Sequence, residues 1–193
     1  VQDTELNAMG VDKGLMTLVD ESRQAELLAQ LEGHLVKASH ASGGSAGNSM
    51  IAAAQFGAPT FMSCKVADDA DGAIYVQDLE QAGVAHSMAQ RPAGTTGKCL
   101  VLISPDAERS MNTFLGISET LSVEQLDPTA LADSEYLYIE GYLVTSDTGR
   151  AAAIRARELA EAAGVKTVLS FSDPGMVEFF REGLQAMIGT QVD

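Results

Sequence analysis

The chain has 193 residues, of which 12 are basic and 27 acidic, giving a formal charge of -15. That length suits one domain with a sizeable core, and an apolar fraction of 46% excludes wholesale disorder. The charge excludes a nucleic-acid binder, because phosphate neutralisation needs clustered Lys and Arg, and no apolar run approaches a membrane span.

Val1 is followed by acidic and polar residues, so no secretory signal is visible and a cytoplasmic protein is expected. The missing initial Met suggests a trimmed chain. "GLMTLVD" reads as a short strand, and Asp20 is placed to cap a helix through "ESRQAELLAQLEGH", where Ala25, Leu28 and Leu31 recur at helical spacing. "LVKASHA" reads as another strand. The glycine corner "GGSAGNS" then precedes a helix to Phe56, which Gly57 would end. "TFMSCKV" is a strand, and "DADGAIYVQDLEQAG" begins with turn-and-cap chemistry before a helix ending near Gly83.

"VAHSM", "KCLVLISP" and "RSMNTFLG" are strands separated by Gly, Pro and Asp turns. "SEYLYIEGYLV" reads as one further strand, and "TGRAAAIRARELAEAAG" as the clearest helix of the chain. "VKTVLSFSDP" follows as a strand and "PGMVEFFREGLQAMIG" as a single helix opened by Pro174. Strands alternating with helices in the second half imply βαβ units and a parallel sheet; the hairpin-like strands imply an additional small sheet. Cys64 and Cys99 both fall in apolar strands and read as buried, reduced thiols.

Several motifs fail on their own chemistry. "PAGTTGKC" lacks the first glycine of a phosphate loop and has Cys99 where Ser or Thr should meet magnesium. "ADDADG" has Ala67 at the first ligand position of a calcium loop, so an Asp-rich helix start describes it better. His34, His40 and His86 form no metal spacing. "SDPG", Ser172 to Gly175, fits a plain turn and also a site loop at the carboxyl end of a strand, where open α/β sheets bind ligands. In the glycine corner, paired glycines allow positive φ and close backbone approach, and Asn48 offers both amide donors and an acceptor. That suits neighbouring sugar hydroxyls, although spacing alone fits a structural turn equally well.

"GGSAGNS", "AAAQFGAP", "KVADDADG", "LEQAGV", "AERSMNTFLG" and "ADSEYLYIEGYLV", in this order, resemble the PfkB or ribokinase-like family of sugar and nucleoside kinases. The adenosine-kinase-like branch is most similar, because "GGS" is followed two residues later by "NS". Met50 and Ala67 depart from the family's usual signature. The resemblance implies an α/β fold with a central, mostly parallel sheet flanked by helices and a small β-sheet lid. Residues 1–193 would form the amino-terminal part of one kinase domain, with lid strands from about 12–42 and 84–115 and the core from the remainder.

By the same resemblance, Gly43 and Gly44 form a hinge, and Gly44, Ser45 and Asn48 lie against ribose-like hydroxyls. Tyr142 matches an aromatic position near the substrate, and Arg109 an arginine near the transferred phosphate. The implied reaction is phosphorylation of a hydroxymethyl group on a sugar or nucleoside, with ATP and Mg2+. The Gly-Ala-Gly-Asp segment carrying the family's base is not found, so no catalytic or metal-binding residue is expected here. A fragment truncated at both ends and inactive alone is the expectation. A cut sheet would leave an exposed edge, favouring a homodimer through that edge or the lid. The alternatives are a sugar- or nucleoside-binding module without catalysis and an acidic α/β domain whose glycine corner is only a turn.

Overall fold

A computed structural model of the chain describes residues 1–33, 42–88 and 90–189. Its helices start where side-chain acceptors meet otherwise unpaired N–H groups. After a short helix α1 (Asp3–Ala8) and strand β1 (Met16–Leu18), α2 (Glu21–Gln30) begins as Asp20 accepts from Arg23 N at 2.7 Å. Next come α3 (Ser45–Gln55), β2 (Phe61–Met62), α4 (Ala70–Gln81) and β3 (Ala85–His86), with Asp69 capping α4. A hairpin of β4 (Thr96–Ile103) and β5 (Arg109–Gly116) leads to the short α5 (Pro128–Ala132). The chain then runs through β6 (Tyr136–Glu140), α6 (Asp147–Ala163), β7 (Lys166–Ser170), α7 (Pro174–Phe179) and α8 (Arg181–Ile188). Helix α6 stops at Gly164, whose φ of 73° is the left-handed geometry of a C-cap.

Strands fall into three groups. One sheet has the order β1-β5-β4, with β1 parallel to β5 and β4 antiparallel to it. The pairs β2-β3 and β6-β7 are both parallel, as alternating strands and helices imply. Burial follows the same division. Leu6, Met9, Val11, Leu27, Leu31 and Leu102 pack between α1, α2 and the three-stranded sheet. Val66, Leu79, Val84 and Met88 form a second cluster beneath α3 and α4. Ile139, Val144, Ala153, Met176, Leu184 and Met187 form the third, around β6 and α6.

Several elements differ from the sequence reading. "SEYLYIEGYLV" is a strand only to Glu140; Gly141–Thr145 is a 3-10 turn. The chain turns there because Gly141 lies so close to β7 that an added Cβ would stand 2.3 Å from Ser170 O. The last helix is two, broken at Phe180 (φ -126°, ψ 26°), which packs on the third cluster while Phe179 is exposed. "TFMSCKV" and "VAHSM" shrink to two strand residues each, with β3 pairing β2 rather than the three-stranded sheet. Both cysteines are free, but Cys99 is exposed; alternation puts it on the sheet face opposite the one that Leu102 presents to α2. Cys64 is the inward one, and burial pushes its thiol up to about 12. The strand expected over "LVKASHA" lies outside the described residues.

Leu27 is fully buried whereas Leu28 is 40% exposed, so alanine substitutions should separate them. Leu27→Ala should cost about 2–5 kcal/mol in urea unfolding and Leu28→Ala under about 1 kcal/mol. Asp106 supplies a pH prediction. The Lys13 ammonium and Ser104 hydroxyl bonded to it hold its carboxyl at about 2. A depressed folded value means that its contribution is present above the ordinary carboxylate range and is lost as pH falls toward 2. An NMR titration should show the Asp106 carboxyl protonating below the ordinary carboxylate range, and Lys13→Met should move it part of the way back, with the Ser104 bond retained.

Candidate functional site

The parallel strands β6 and β7 end side by side, with Glu140 opposite Ser170. Beyond that edge three segments converge on the Glu140 carboxylate. Ser45, the first residue of α3, donates its hydroxyl to Oε2, and Ser172 donates its hydroxyl to Oε1. Tyr138, two residues back on β6, adds a third hydroxyl to Oε2 at 3.2 Å. Four of the hydrogen bonds that a carboxylate accepts would saturate it, so Glu140 is nearly satisfied by hydroxyl groups alone.

The loop after β7 is shaped to deliver Ser172. Its φ of 65° is uncommon for a residue with a Cβ, and it is held by Ser172 N donating to Ser170 Oγ at 3.1 Å. Tyr142 N donates to Ser172 Oγ at 3.0 Å, so the 3-10 turn after β6 fixes the same hydroxyl from the other side. Tyr142 in turn donates its phenol to Asp173 Oδ2 at 3.0 Å, while Asp173 Oδ1 caps α7 through Gly175 N at 2.7 Å. Burial raises the Tyr142 phenol above its ordinary range, and Asp173 adds to this by accepting its proton. The Glu140 charge adds to the same rise.

The glycine corner enters from α3. Gly44 has φ 84° and its carbonyl accepts from Asn48 N at 3.0 Å, opening the helix. An added Cβ at Gly43 or Gly44 would meet nothing within 4 Å, so the requirement at Gly44 is conformational rather than steric. Gly47 is the packed one: a Cβ there would stand 2.8 Å from the Tyr75 hydroxyl. Asn48 is exposed and follows Ser45 by three residues, which places both on one side of α3. Of the residues singled out in the sequence, Ser45 bonds the Glu140 carboxylate and Tyr142 bonds Ser172 beside it, while Gly43 and Gly44 precede Ser45 and Asn48 lies one turn along α3.

Arg109 stands apart. It is the exposed first residue of β5, opposite Ile103, whereas Cys99 pairs with Thr113. Alternation puts Arg109 and Cys99 on one face of the sheet, but four residues separate Arg109 from Thr113, about 13 Å along the strand. Glu140 was not singled out in the sequence. The available signal was an acidic residue ending the apolar strand "YLYI" one strand before "SDPG". Among the described residues no group of three or more His, Cys, Asp or Glu could hold a metal ion. His86 is engaged locally: its Nδ1 accepts from Met88 N at 3.2 Å. No helix among the described residues is long and apolar enough to cross a membrane.

The fold recurs in solved proteins. The adenosine kinase from Sinorhizobium meliloti is 32% identical with a TM-score of 0.91, all of this chain aligning to 58% of that one. A probable sugar kinase from Rhizobium etli CFN 42 is 30% identical with a TM-score of 0.90, again across 100% of this chain and 58% of the other. The fold also matches Anopheles gambiae adenosine kinase, solved with P1,P4-di(adenosine-5) tetraphosphate, at 23% identity and a TM-score of 0.83 over 97% and 57% of the two chains. The chain thus spans little more than half the length of these relatives. No curated protein matches it. The profile of pfkB family carbohydrate kinases, however, matches residues 14–193, and the chain belongs to that family.

Proposed function

We propose that the protein of which this chain is the described part phosphorylates a hydroxymethyl group of a sugar or nucleoside, and that this part reads the sugar's adjacent hydroxyls. The observation that carries the reading is the Glu140 carboxylate, held by the hydroxyls of Ser45, Ser172 and Tyr138 at the carboxyl ends of β6 and β7. Those protein hydroxyls stand where ligand hydroxyls would donate, and open α/β sheets take their ligands at this edge. A vicinal diol would replace Ser45 and Ser172 on the two carboxylate oxygens. Asn48 and the free N–H groups at the start of α3 would serve the remaining lone pairs. The sheet β1-β5-β4 would act as a lid, with Cys99 and Thr113 nearest the ligand.

Family membership supports ATP as donor, with Mg2+ the usual companion of phosphoryl transfer. In this reading the chain's own residues bind and orient the sugar; Arg109, if it meets phosphate at all, does so only when the sheet moves. The distance of Arg109 from the carboxylate edge favours one second reading, a sugar- or nucleoside-binding module without catalysis.

Calorimetry with adenosine and 2′-deoxyadenosine tests the hydroxyl reading. Glu140→Gln should weaken adenosine by about 1.5–3 kcal/mol, the value of hydrogen bonds to a charged group, or roughly tenfold to over a hundredfold. The deoxy analogue should be weak already and change little. Asn48→Ala should follow the same pattern with a smaller loss. Equal binding of both ligands by native protein and Glu140→Gln would remove the hydroxyl assignment. Phosphate transfer from ATP by the full-length protein separates the kinase from the binding module.

A further inference from the structure

The sheet β1-β5-β4 contributes Leu102 to the first apolar cluster and packs Met16 on the third, and polar contacts add to what sets where it sits. One carboxylate does much of this. Thr96, the first residue of β4, donates its backbone N–H to Asp69 Oδ2 at 2.8 Å and its hydroxyl to Asp69 Oδ1 at 2.6 Å. The Thr96 hydroxyl also accepts from Ala67 N at 3.0 Å, and Thr96 is only 4% exposed. Asp69 belongs to the other side of the junction, where its Oδ1 caps α4 through Gly72 N at 2.8 Å.

The junction leaves no slack. A Cβ on Gly72 would stand 2.2 Å from Ala67 O and 2.9 Å from Thr96 Oγ1. Just beyond it, a Cβ on Gly97 would stand 2.4 Å from Leu115 O, and one on Gly116 2.3 Å from Thr95 O. Both strands of the hairpin therefore enter the sheet through close-packed glycines beside the Asp69 clamp. Lys98 adds a partly exposed ion pair to Asp71 at 2.6 Å.

We infer that Asp69 is a positioning residue: through Thr96 it seats the three-stranded sheet, the lid of the proposed function, against the start of α4, without touching ligand itself. Thr96 precedes Cys99 by three residues, about 10 Å of strand, so a loosened seat is passed along the sheet that the proposed function takes as a lid. The effect on ligand rests on the hydroxyl-reading function proposed above; the seating does not. Burial alone would raise the Asp69 carboxyl, yet the bonds from Thr96 and Gly72 and the charge of Lys98 hold it below the usual range.

Asp69→Asn isolates the seat. Asn caps helices as well as Asp, so α4 keeps its start through the remaining oxygen. Its NH2 group, however, faces the Thr96 N–H, donor against donor. Hydrogen exchange of the full chain should quicken about ten- to hundredfold over residues 97–115, with residues 147–163 in α6 unchanged. Adenosine affinity should fall about tenfold, with Thr96→Ser close to native. Thr96→Val, which keeps the backbone bond, should give a smaller change of the same pattern and serves if the Asn variant does not fold.

Unchanged exchange over 97–115, or equal quickening in α6, would overturn the inference. So would a selectively loosened sheet with native adenosine affinity. If the native protein binds neither adenosine nor ribose, the proposed function fails, and exchange over 97–115 alone decides whether Asp69 is the seat.

Discussion

The architecture around the candidate site depends on one carboxylate being surrounded by hydroxyls. Glu140 sits at the end of β6 and is reached from α3 by Ser45 and from the loop after β7 by Ser172. An unpaired charge at a half-buried strand end would be costly, so these hydroxyls have a structural duty in the empty protein. The duty also explains local oddities. Ser172 adopts a left-handed backbone to aim its oxygen, Tyr142 N supports it, and Gly141 lets the chain turn tightly over β7. A ligand diol can take over the same lone pairs without desolvating a bare carboxylate, so exchange of one set of hydroxyls for another need not strain the fold.

The second constraint is mechanical. Three apolar clusters divide the core, with Leu102 of β4 joining the first and Met16 of β1 packing on the third. A polar attachment falls where glycines let segments approach closely: Asp69 with Thr96, beside Gly72 and Gly97.

Much of this was legible in the sequence, for identifiable reasons. Asp20, Asp69 and Pro174 mark helix starts by local chemistry, which needs no tertiary context. The glycine corner pointed to Ser45 and Asn48, and "SDPG" to the loop that carries Ser172 and Asp173. What escaped was set by contacts distant in sequence. The strand through "SEYLYIEGYLV" ends early because Gly141 must pass Ser170, 29 positions later by number. Cys99 looked buried in an apolar run, yet alternation on an open sheet face exposes it. Glu140 was hidden for the same reason: a single acidic residue after an apolar strand becomes a site only when α3 and the β7 loop fold onto it.

The central claim is that the Glu140 carboxylate receives adjacent sugar hydroxyls in place of Ser45 and Ser172. The most direct measurement is the carbon-13 resonance of the Glu140 carboxyl, assigned by comparison with Glu140→Gln and followed as ribose or adenosine is added to the full chain. The account predicts a saturable shift of that resonance with both ligands and a much smaller one with 2-deoxyribose. A Glu140 signal that stays fixed while either ligand binds would contradict it.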